Sequence, residues 1–134
     1  MTTLRRVLHV DDDEDIRTIT RLSLEVMSDL QLHQCASGRE AIAEVKAAAP
    51  DLFLLDYMMP GLNGEETLAG LRAVPGFEAT PVIFMTARVL DDLATTLVVG
   101  GAIAVLTKPF EPLDLFDQIA AAWDRHAPPS RLAT

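Results

Sequence analysis

Four short stretches of the chain end in residues that can do chemistry. "VLHV" runs into Asp11 and Asp12, "LFLL" into Asp56, "VIFM" into Thr86, and "AVLT" into Lys108, which Pro109 follows. Carboxylates gathered at one place cannot all stay ionised without a compensating cation. A hard divalent ion supplies that charge, and Mg²⁺ prefers oxygen ligands, takes one or two carboxylates and keeps several waters; Mn²⁺ can substitute for it. A lysine adds further positive charge. Acids, a hydroxyl, an ammonium group and a metal suit phosphoryl chemistry, in which positioning and charge neutralisation do most of the work. A carboxylate is an adequate nucleophile for a phosphoryl group.

These residues can act together only if the fold brings the four stretches to one place. The stretches are short, apolar and separated by helical patterns. Ile16, Ile19, Ser23, Val26, Met27 and Leu30 recur at three- and four-residue spacing and predict the inner face of a first helix. "LQLHQCAS" predicts a second strand, and "GREAIAEVKAAA" a helix that stops at Pro50. "EETLAGLRAV" and "VLDDLATTLVV" predict two more helices, ended by Pro75-Gly76 and Gly100-Gly101. Leu113, Phe116, Ile119, Ala120 and Trp123 predict the inner face of the last helix.

The result is five βα units. Strands apolar on both faces belong in a parallel sheet covered by helices on each side. In such sheets ligands bind outside the carboxyl ends of the strands, so Asp11, Asp12, Asp56, Thr86 and Lys108 converge on one edge.

Composition narrows the alternatives. The chain has 134 residues and a formal charge of −9, from 11 basic and 20 acidic side chains. That balance argues against nucleic acid and anionic membrane surfaces as partners. No apolar run is long enough to span a bilayer. Acids arrive before any signal-peptide core can form, and a single cysteine, Cys35, fits a reducing compartment. The expected location is the cytoplasm. Cys35 itself reads as a buried small hydrophobe. Asp13, Glu14 and Asp15 sit where a helix begins, where acids meet orphan N–H groups and the helix dipole. His9, His33 and His126 show no metal-ligand spacing.

The motifs "VDDDEDIR", "DLFLLDYMMPGLNG", "PVIFMTAR" and "LTKPF", in this order and spacing, resemble the receiver domain of bacterial two-component response regulators. The resemblance covers residues 4–126, with 127–134 expected as a flexible C-terminal tail. It implies a doubly wound, flavodoxin-like α/β fold, with five parallel strands in the order 2-1-3-4-5 and five helices. It implies Asp56 as phosphoacceptor, fed from the phosphohistidine of a sensor kinase or phosphotransfer protein. It further implies Mg²⁺ held directly by Asp12, mainly through water by Asp11, by Asp56, and by the backbone carbonyl of Met58. Thr86 would hydrogen-bond a phosphoryl oxygen. Lys108 would pair with Asp56 and then with the phosphoryl group, and the Lys108–Pro109 peptide would be cis.

The chain departs from the family pattern at Val105, where receivers commonly carry an aromatic residue, and no carboxylate flanks the site at Met58 or Arg88. The leading expectation is a phosphoryl-accepting switch, not an enzyme acting on other substrates, with no output domain of its own. It would act on a downstream protein or a second copy through its fourth helix, fifth strand and fifth helix. Two other readings compete. One is a haloacid-dehalogenase-like phosphatase, suggested by the Asp-x-Asp spacing of Asp11 and Asp13. The other is a phosphorylation-independent interaction module.

Overall fold

The computed structural model describes residues 3–87 and 91–126. The elements alternate: β1 (Arg6–Val10), α1 (Glu14–Met27), β2 (Gln31–Cys35), α2 (Gly38–Ala48), β3 (Leu52–Asp56), α3 (Gly64–Arg72), β4 (Val82–Thr86), α4 (Asp91–Val99), β5 (Ala104–Thr107) and α5 (Leu115–His126). The strands form one parallel sheet in the order β2-β1-β3-β4-β5, as the sequence implied. Arg88 and residues 127–134, the expected tail, lie outside the described residues.

Strand alternation divides the core in two. Leu8, Val10, Phe53, Leu55, Val82 and Phe84 face one way, onto Ala41 and Val45 of α2, Leu71 of α3 and Leu97 of α4. Val7, Leu52, Leu54, Ile83 and Met85 face the other, onto Leu24 of α1 and Leu115, Ile119 and Trp123 of α5. β3 and β4 are buried along their whole length, as expected for central strands covered on both faces.

Two helix faces differ from expectation. In α1 the buried residues are Thr20, Ser23 and Leu24, whereas Ile19, Val26 and Met27 are exposed and Leu30 lies beyond the helix. Periodicity found the apolar stripe of α1, but the sheet beneath is partly polar there and takes polar side chains. Gln34 of β2 donates to the Arg17 carbonyl at 2.8 Å and accepts from Arg21 Nε at 3.1 Å. Ser23 Oγ donates to the Pro112 carbonyl. In α5, Leu113 falls before the helix and is exposed and Ala120 is only partly buried, whereas Leu115 and Ala122 join Ile119 and Trp123 in the core. Exposed Ile19, Leu22, Val26 and Met27 line one surface groove with Pro112 and Leu113.

Candidate phosphoryl-transfer site

Each candidate side chain is held by a strand end. The Asp11 N–H donates to the Cys35 carbonyl at 3.1 Å, which carries the β1–β2 ladder one residue past β1. Asp11 is fully buried. Its Oδ1 accepts from the Asp13 N–H at 2.9 Å, and its Oδ2 accepts from Lys108 Nζ at 3.0 Å. Arg17, one turn into α1, donates from Nη1 to the Asp11 carbonyl at 2.8 Å. The sequence reading missed this clamp, although Arg17 closes the "VDDDEDIR" motif. Asp12 is exposed at the rim.

Asp56 closes β3 and is 3% exposed. Its Oδ1 lies 3.3 Å from Lys108 Nζ and 3.4 Å from the Met58 N–H. Behind it, α3 begins at Gly64, whose N–H donates to the Tyr57 carbonyl at 2.8 Å. A Cβ at Gly64 would stand 2.7 Å from the Asp56 carbonyl oxygen and 2.9 Å from Tyr57 Cα. Glycine is therefore needed for the helix to seat against the strand end that presents Asp56. Asn63 and Glu66 close a capping box at the same helix start.

Thr86 closes β4 and is buried. Its carbonyl accepts the Lys108 N–H at 2.9 Å, so the lysine starts from the backbone of the threonine's own strand end. The Lys108–Pro109 peptide is cis. The structure thus gathers Asp11, Asp12, Asp56, Thr86 and Lys108 at one sheet edge. One carboxylate oxygen from each aspartate lies within 4.8 Å of the others. Lys108 sits closer to Asp11 than to Asp56, whereas the resemblance implied Asp56 as its first partner.

Three acids against one ammonium leave excess negative charge. Burial, followed by the charge of Asp11, pushes the Asp56 carboxyl up to about 6, against the downward pull of Lys108 and the Met58 N–H. Burial alone would lower Lys108. The hydrogen bond and charge of Asp11, with those of Asp56, outweigh it and hold the ammonium above its ordinary value. Under Asp11, His9 is fully buried. It is kept neutral, near 3, by burial and then by Lys108, Arg17 and Arg21. This is a packed histidine, as the sequence suggested. Hard oxygen donors short of positive charge suit a small divalent cation.

A family profile described as "Response regulator receiver domain" matches residues 7–120. The chain belongs to the response regulator receiver family. This receiver is 31% identical over 131 residues to the phosphate regulon transcriptional regulatory protein PhoB of Rhizobium meliloti, covering 98% of this chain and 57% of that protein. It is 36% identical over 115 residues to the transcriptional regulatory protein YvrH of Bacillus subtilis, covering 86% of this chain and 47% of that protein. The receiver therefore spans about half the length of these curated relatives. Among solved structures it superposes on the chemotaxis protein CheY4 of Vibrio cholerae with a TM-score of 0.81 at 28% identity, covering 90% of this chain and 99% of that one.

The hydrolase reading loses its footing at Asp13. Its Oδ1 accepts the N–H groups of Asp15 at 2.8 Å and Ile16 at 3.3 Å, which makes it the N-cap of α1 and not a partner of Asp11 in the site. Among the described residues, no helix is long and apolar enough to cross a membrane.

Proposed function

We propose that this receiver takes a phosphoryl group onto Asp56 from the phosphohistidine of a sensor kinase or phosphotransfer protein, and changes the surface it offers to a protein partner in the cytoplasm. The observation that carries the reading is Lys108 Nζ lying between Asp11 Oδ2 at 3.0 Å and Asp56 Oδ1 at 3.3 Å. In the transfer, an Asp56 carboxylate oxygen forms the new P–O bond while the P–N bond to the donor histidine breaks. The imidazole leaves neutral after taking up a proton. Lys108 then shifts its ion pair from Asp56 to the phosphoryl oxygens, and Thr86 donates its hydroxyl to one of them. Asp12, Asp56 and the Met58 carbonyl, with Asp11 mainly through water, would hold Mg²⁺, which would supply positive charge to the reacting oxygens. The chain acts as a self-catalysed acceptor and not as an enzyme for other substrates.

A protein donor must rest beside this pocket. The exposed apolar strip of Ile19, Leu22, Val26, Met27 and Leu113 lines one groove along α1, the helix that begins just after Asp12, and is the surface proposed to receive the donor. An exposed apolar patch of this kind marks an interaction surface. Phosphotransfer profiling against sensor kinases is the test. At least one kinase should label the wild type and leave Asp56→Asn unlabelled. A Leu22→Asp, Val26→Asp double variant should slow transfer from that kinase at least tenfold, while labelling by acetyl phosphate stays unchanged. Equal loss with both donors would place the defect in the pocket and not in docking.

The response is proposed to emerge from α4, β5 and α5. Val98 and Val99 are exposed, while Val105 and Ile103 pack partly against the two cores. Val105 has no ring to swing inward, and its β-branched side chain has few rotamers. Movement of Thr86 is therefore passed on by backbone and α4 shifts, which tune an apolar contact with a partner or a second copy. Beryllofluoride with Mg²⁺ should change association state or partner capture in the wild type. A folded Val98→Asp, Val99→Asp variant should lose that response. A variant that behaves as wild type by sedimentation and pull-down removes this face from the account.

A further inference from the structure

On the opposite side of β2 from Gln34, a second group of ligand-type side chains stands apart from the acidic pocket. His33 and Cys35 are two residues apart on the same strand, so both face α2. Glu44 projects from α2 between them. Its Oε1 lies 2.6 Å from His33 Nε2 and 3.8 Å from Cys35 Sγ. One donor atom from each of the three residues lies within 4.8 Å of the other two. We propose that His33, Cys35 and Glu44 form a second metal site, selective for a borderline-soft divalent ion such as Zn²⁺.

The donor chemistry carries the choice of ion. The phosphoryl-transfer pocket offers oxygen alone and suits Mg²⁺, whereas imidazole, thiolate and one carboxylate suit Zn²⁺ and its transition-metal neighbours. Zn–N bonds of ~2.0 Å and Zn–S bonds of ~2.3 Å put the donors of one tetrahedron about 3.3–3.8 Å apart. Cys35 Sγ already stands 3.8 Å from Glu44 Oε1, whereas His33 Nε2, 2.6 Å from the same oxygen, must draw apart from it to admit the ion. Three protein ligands leave a fourth position open. Glu40, one helical turn before Glu44, acts on the same thiol and is the nearest further oxygen donor.

The thiol packs in the core as the sequence suggested, yet carboxylates reach it there. Cys35 is 1% exposed and faces two carboxylates. Burial, followed by Glu44 and Glu40, pushes it up to about 12. A bound cation reverses that balance. The thiol proton passes to solvent, and Nε2 of His33 gives up its contact with Glu44 and binds as neutral imidazole, with its proton on Nδ1. β2 is an edge strand paired only with β1, and the metal would tie it to α2. The sequence hid this site because its donors come from two elements and their numbers follow no ligand motif.

Co²⁺ titration of the full chain, with Zn²⁺ as competitor and saturating Mg²⁺ present, tests the proposal. A thiolate-to-Co²⁺ charge-transfer band should grow to one equivalent, disappear on adding Zn²⁺, and persist in Asp12→Ala, whose lesion lies in the other pocket. Cys35→Ser should abolish the band. His33 is 41% exposed, so His33→Gln leaves the fold intact and should weaken binding by at least ~100-fold, beyond what losing an outer-sphere partner costs. Glu44→Gln should act in the same direction. The absence of any thiolate band, or a band unchanged in both His33→Gln and Glu44→Gln, would reduce the group to an ion pair beside a buried thiol and overturn the proposal.

Discussion

Asp56→Asn should make the cation-free receiver more stable at neutral pH. Asp56 is almost fully buried, and its carboxyl is pushed from an ordinary value of 3.8 to about 6 by burial and then by Asp11. A carboxyl raised on folding binds its proton more tightly in the native state than in the unfolded chain. Its contribution is present in full below 3.8 and is lost as pH rises through about 6. The gap corresponds to at most about 3 kcal/mol. Asparagine keeps the shape without the charge but gives up the pairing with Lys108, so a net gain of about 1–2 kcal/mol is expected. Urea unfolding in EDTA should show the variant gaining on the wild type between pH 4 and pH 6.5, with the difference constant above that window. A variant no more stable than the wild type at pH 7 would mean that Asp56 is not held against its own charge.

The same excess charge predicts a strong response to Mg²⁺. A ligand that binds only the native state stabilises it by ~2.7 kcal/mol at a hundredfold excess over its dissociation constant. For a domain of this size that is about 10 °C in melting temperature. The wild type should show this rise, and Asp12→Ala should lose it. Asp12 is exposed, so its removal leaves the core untouched and isolates the binding effect. Asp56→Asn should also reduce the Mg²⁺ response while starting from a higher melting temperature. A full Mg²⁺ response in Asp12→Ala would take Asp12 out of the ligand set.

Much of this arrangement was legible in the sequence because the strands carry it. Each apolar run ends where its site residue begins, and a parallel sheet sends all those ends to one edge. Asp11, Asp56, Thr86 and Lys108 needed only the strand boundaries to be placed together. The helices were less legible. The apolar stripe of α1 read as its buried face, yet Thr20 and Ser23 turn inward with Leu24 while Ile19, Val26 and Met27 face out, and polar Gln34 of β2 bonds both the Arg17 carbonyl and buried His9. Periodicity reports that a face is apolar, not what covers it. Pairings decided by side-chain reach were also hidden. Lys108 favours Asp11 over Asp56, Arg17 clamps the Asp11 carbonyl, and His33 meets Glu44 across two elements.

The central claim is that Asp56 alone accepts the phosphoryl group, and chemical trapping of the acyl phosphate tests it most directly. The receiver would be charged with acetyl phosphate and Mg²⁺, reduced with borohydride, digested and sequenced by mass spectrometry. Reduction of a phosphoaspartate leaves homoserine in its place. The account predicts homoserine at position 56, none at positions 11 or 12, and none anywhere when Mg²⁺ is withheld. Homoserine at Asp11 or Asp12, or a wild type that takes no phosphoryl group with Mg²⁺ present, would contradict it.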